Sequence, residues 1–94
     1  MFTNTYINSN NTPLQIIRRP AVLQMTGFSK STLYNRNQDG TFPPAINLGG
    51  RSVGFVQSEC ELVLQALIAG IPTDEIKALV KSLVEQRKFN IGGL

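Results

Sequence analysis

Ninety-four residues, 41% hydrophobic and 16% charged, suit one small globular domain with a modest core. The chain has no histidine and one cysteine, Cys60; this excludes an internal disulfide, nearly excludes a structural zinc site and removes the Ser-His and Cys-His nucleophile pairs, so neither enzymatic activity nor a cofactor or metal is expected. The net charge is +3 and unevenly spread: up to Val56 the basic residues Arg18, Arg19, Lys30, Arg36 and Arg51 meet Asp39 alone, whereas from Gln57 onward acids slightly outnumber bases, an asymmetry that fits a nucleic-acid face and that small domains also show by chance.

Residues 1–13 are rich in Asn, Thr and Ser and lack a basic region followed by an apolar block, so they read as an N-terminal arm rather than a secretory signal. Phe2, Tyr6 and Ile7 give that arm something to pack with. No apolar run approaches the ~20 residues of a membrane helix, and a cytoplasmic protein is expected. Residues 14–18 (LQIIR) suit a short edge strand through β-branched Ile16 and Ile17.

Arg19-Pro20 opens a first helix, where proline's missing N–H is harmless. Val22, Leu23 and Met25 supply its apolar contacts, and Gly27 stops it. Thr26-Gly27-Phe28-Ser29 forms a tight turn, with Ser29 placed to cap a second helix over residues 30–37. Leu33 is that helix's inward anchor. Its other side chains, Lys30, Ser31, Thr32, Tyr34, Asn35 and Arg36, are of the sizes and polarities that fit a DNA groove. Asp39-Gly40 ends the helix, Phe42 plugs the core beneath it, and Pro43-Pro44 makes a stiff link.

Residues 45–55 read as a β-hairpin with Gly49-Gly50-Arg51 at its tip. There Arg51, with Asn47, can reach a phosphate or the minor groove. Ser58 and Glu61 fit a capping box at the start of a third helix, along which Cys60, Val63, Leu64, Leu67 and Ile68 form an apolar stripe. Cys60 is expected to be a buried apolar residue rather than a reactive thiol. Gly70 ends this helix. A fourth follows the break at 71–73, with Asp74 and Glu75 in its first turn and Ile76, Leu79, Val80, Leu83 and Val84 as its stripe. Lys81 and Glu85 are spaced to pair weakly, Arg87 and Lys88 suit the helix end, and residues 90–94 are expected to fray. The fold class is thus mainly α with a small β-hairpin wing: an arm at 1–13, a winged helix-turn-helix at 14–70, and a C-terminal helical extension at 71–94 for packing or dimerisation.

The order Arg19-Pro20-Ala-Val-Leu, Thr26-Gly27-Phe28-Ser29-Lys30-Ser31-Thr32-Leu33-Tyr34, Gly40-Thr-Phe-Pro-Pro and Asn47-Leu-Gly-Gly-Arg51-Ser-Val-Gly-Phe55, then Ser58-Glu59, resembles the AlpA-type prophage regulators over residues 17–70. It is more distantly similar to the winged helices of MerR-type regulators and phage excisionases. The resemblance implies that the second helix enters the major groove of double-stranded DNA while the wing lies along the backbone or minor groove. The residues expected to touch DNA are Arg19, Ser29, Lys30, Ser31, Thr32, Tyr34, Asn35, Arg36, Asn47 and Arg51. A transcriptional regulator of prophage genes is the leading expectation, with RNA polymerase or an integrase as protein partners and a homodimer through the C-terminal helix. The alternatives are an architectural excisionase that bends DNA for an integrase and, from another class, a protein-binding adaptor using the two C-terminal stripes.

Overall fold

The computed structural model describes residues 14–92, with side chains described as far as Lys88, so the expected arm at 1–13 lies outside the described residues. In chain order the elements are β1 (Ile16–Ile17), α1 (Arg19–Thr26), α2 (Lys30–Asp39), β2 (Ile46–Gly49), β3 (Ser52–Val56), α3 (Gln57–Ile68) and α4 (Thr73–Gly92).

The reversal between α1 and α2 follows from its residues. Gly27 takes φ 78°, a left-handed conformation that L side chains rarely adopt, and its N–H closes on the Leu23 carbonyl at 2.8 Å. Thr26 Oγ1 then accepts from the Phe28 N–H at 3.1 Å. Ser29 caps α2 by accepting from the Thr32 N–H at 3.1 Å. The second helix runs two residues past the expected Asn37, to Asp39, before Gly40 turns the chain.

The strands form one antiparallel sheet in the order β1-β3-β2. Ile17 pairs with Phe55, while Ile46 pairs with Gly54 and Asn47 with Val53 across the hairpin. Gly54 is required by close approach rather than by its backbone angle. A Cβ there would collide with the Ile16 side chain and stand 3.0 Å from Leu48 Cδ1 and 3.4 Å from the Ile17 carbonyl oxygen. Gly54→Ala is therefore expected to lower stability by ~1–3 kcal/mol through overpacking, measured by urea denaturation. An unchanged midpoint would mean that the strands part without cost.

A single apolar cluster joins all the helices to the sheet: Val22, Leu33, Phe42, Phe55, Cys60, Val63, Ile76, Val80 and Leu83 are buried together. The stripe of α4 thus packs into the same interior as the helix-turn-helix. Cys60 is fully buried; desolvation, with the charges of Glu59 and Glu61, pushes its thiol up to about 12 and leaves it protonated and unreactive.

Three local expectations fail for identifiable reasons. The Ser58–Glu61 capping box does not form, because α3 springs directly from β3 with Val56 at the cap position and no side-chain cap bond. The Gln57 N–H is instead taken by the Gln15 carbonyl at 2.9 Å, and Gln57 Nε2 donates to Glu61. Ile68, assigned to the inward stripe, is 77% exposed. It is the last residue of α3, where Gly70 and Ile71 donate back to the Leu67 and Ala66 carbonyls and the chain turns away. Lys81 and Glu85 are both exposed and do not pair; among the described residues the one ion pair is Arg87–Glu59.

Candidate nucleic-acid interface

The burial of Leu33 fixes the rotation of α2 about its own axis. At roughly 100° per residue, Ser31, Asn35 and Gln38 fall opposite Leu33 on one solvent-facing row, and all three are exposed. Tyr34 flanks that row and is 63% exposed. Lys30 is exposed at the helix start, and Thr32 is exposed on the other flank.

Ser29, Ser31 and Thr32 are drawn together by hydrogen bonds. The Ser29 hydroxyl donates to Thr32 Oγ1 at 2.9 Å and lies 3.3 Å from Ser31 Oγ. These hydroxyls therefore serve the helix start as well as facing solvent. Arg19 is exposed at the first residue of α1. Asn47 is exposed on β2, and its Oδ1 accepts the Gly49 N–H at 2.9 Å, which shapes the approach to the tip. Gly50 and Arg51 form the hairpin turn, with the Arg51 side chain exposed.

Arg36, expected among the DNA-touching side chains, stands apart from the exposed row. It lies about 60° from Leu33, on the inner flank of α2, and is half-buried. Its guanidinium sits 5.1 Å from the centre of the Phe28 ring, a cation–π contact. Phe28 in turn meets the buried Phe42 edge-on, with ring centres 5.6 Å apart and planes at 76°. Arg36 is thus a cation held against the turn.

Two features escape sequence reasoning. Gln38 belongs to the exposed row, and its signal was present: it stands seven residues from Ser31 and three from Asn35. Beneath the interface, Arg87 of α4 grips Glu59 of α3 through Nε–Oε2 at 2.8 Å and Nη2–Oε1 at 2.5 Å, and Nη2 also donates to the Pro44 carbonyl at 3.0 Å. This forked bond raises the pKa of Arg87 further above its ordinary value. It also ties the entry to the wing onto the C-terminal helix. No local pattern announces a partnership spanning 28 residues.

Two helices across a glycine turn, followed by a two-stranded wing, define a winged helix-turn-helix protein. The chain belongs to the family described as prophage CP4-57 regulatory protein (AlpA), whose model matches residues 15–63. It is 38% identical over 56 residues to the uncharacterized protein ORF88 of Enterobacteria phage P4, a match covering 60% of this chain and 64% of that protein. Over 59 residues it is 36% identical to the DNA-binding transcriptional activator AlpA of Escherichia coli (strain K12), covering 56% of this chain and 84% of that protein. No solved structure matches the chain. Among the described residues no helix is long and apolar enough to cross a membrane.

Proposed function

We propose that this chain is a sequence-specific, double-stranded-DNA-binding transcriptional regulator of prophage or mobile-element genes. The observation that carries this reading is the solvent face of α2, a glycine-turned, serine-capped helix whose exposed side chains from Lys30 to Gln38 are polar or basic, with the acidic Asp39 confined to its last residue. Membership of the AlpA family, and similarity to a protein named as a DNA-binding transcriptional activator, support it. In this reading α2 lies in the major groove and the hairpin tip lies on the backbone or minor groove. Arg19, Lys30 and Arg51 neutralise phosphates and set the register, while side chains of α2 at the groove floor choose the sequence. Ser29, Ser31 and Thr32 offer hydroxyls to the backbone or base edges, and Asn47 supports Arg51 at the wing.

The same structure weighs against an adaptor built on the C-terminal stripes. Ile76, Val80 and Leu83 are committed to the chain's own core, so that apolar surface is not on offer to a partner.

The test is a binding titration with fragments of the source genome at several salt concentrations. Neutralising about three to five phosphates should make log K fall with log salt at a slope of roughly −3 to −4.5. A flat response, or no binding at low salt, refutes the proposal. Recovery of sites at promoters supports the regulator; recovery at attachment sites, with bent DNA and altered excision frequency, would identify an excisionase instead.

A further inference from the structure

The row that α2 turns furthest from the core carries no cation. It consists of Ser31, Asn35 and Gln38, all exposed. Direct reading of guanine in the major groove is chiefly the work of arginine or lysine, whose donors match guanine O6 and N7. Here Lys30 stands at the helix start, and Arg36 is folded onto Phe28 on the inner flank. Asparagine and glutamine have a different complement: the amide oxygen accepts from adenine N6 while the amide nitrogen donates to adenine N7.

Among the described residues neither the Asn35 nor the Gln38 amide has a partner within the protein, in contrast to Asn37, whose Nδ2 donates to the Pro43 carbonyl at 3.0 Å. The exposed Tyr34 ring beside the row offers apolar surface of the kind that contacts a thymine methyl.

Resting on the proposed DNA-binding role of α2, we infer that Asn35 and Gln38 are its specificity-determining residues and that they read adenine. The two stand about 4.5 Å apart along the helix axis at 1.5 Å per residue, close to the ~3.4 Å step of a DNA strand. The recognised adenines therefore lie at adjacent or alternate base pairs. Arg36 contributes charge and packing rather than base choice.

The experiment uses the full chain. Sites are selected from random DNA duplexes with the wild type, Asn35→Ala and Gln38→Ala, and affinities are then measured on the wild-type site with 7-deazaadenine, which lacks the N7 acceptor, placed at each selected adenine. The wild type should select two nearby A·T pairs. Each variant should lose preference at one of them, by about 5- to 150-fold for a bidentate contact, with the salt slope unchanged because no phosphate contact is removed. At the matching adenine, 7-deazaadenine should weaken the wild type but not the variant that already lacks the contact. Selection of guanine at these positions, or variants that keep every preference, would overturn the inference while leaving DNA binding intact. Failure of the wild type to bind any duplex at low salt would instead remove the parent reading. Circular dichroism of both variants, which change only exposed side chains, separates misfolding from lost contact.

Discussion

Arg87→Ala should lower the free energy of unfolding by about 3–5 kcal/mol, because it strands the Glu59 carboxylate in the interior. The side chains are 24% and 8% exposed respectively, so water has little access to the acid. Arg87 donates three hydrogen bonds, two to Glu59 and one to the Pro44 carbonyl. The loss therefore exceeds that of an open surface pair, which is worth ~0–1 kcal/mol. The double variant Arg87→Met with Glu59→Leu should recover most of the stability, since an apolar pair leaves no buried charge behind. Urea denaturation of the three proteins checks this. A loss below about 1 kcal/mol in the single variant would show that Glu59 is solvated.

Leu33→Ala should cost ~2–5 kcal/mol. Leu33 is the fully buried side chain of α2, and a ten-residue helix has little stability of its own. The cavity would open against the cluster that includes Val22 and Phe42. Leu33→Met, which conserves volume, should cost less than ~1.5 kcal/mol. DNA affinity should follow the same order as stability. If Leu33→Ala kept full stability but lost DNA binding, Leu33 would be a contact residue rather than an anchor.

The features legible from sequence are those written in neighbouring residues. Gly27 and Ser29 specify the turn and cap within four positions, and the paired glycines of 49–50 specify the hairpin. The apolar stripes located Cys60, Val63, Ile76, Val80 and Leu83 in the core. The capping-box pattern is present at Ser58 and Glu61, yet α3 begins at Gln57, one residue before Ser58, where the Gln15 carbonyl just before β1 takes the first helical N–H. Arg36 reads from sequence as one more groove-facing side chain, because helical spacing does not reveal that Phe28, eight residues away, stands beside it as a landing place. The Arg87–Glu59 pair is invisible for a stronger reason: it depends on how α4 lies against α3, which no local spacing encodes. Gln38 could have been found by laying Ser31, Asn35 and Gln38 on a helical wheel.

The bond from Arg87 to the Pro44 carbonyl bears on where this domain can be cut. The family-matched stretch ends at residue 63, yet the counter-ion of Glu59 and three members of the interior lie beyond it, on α4. A fragment trimmed to the shared stretch would retain the proposed DNA-facing side chains while shedding the brace behind the wing. Transplanting the shared stretch alone would therefore transplant an unfinished protein.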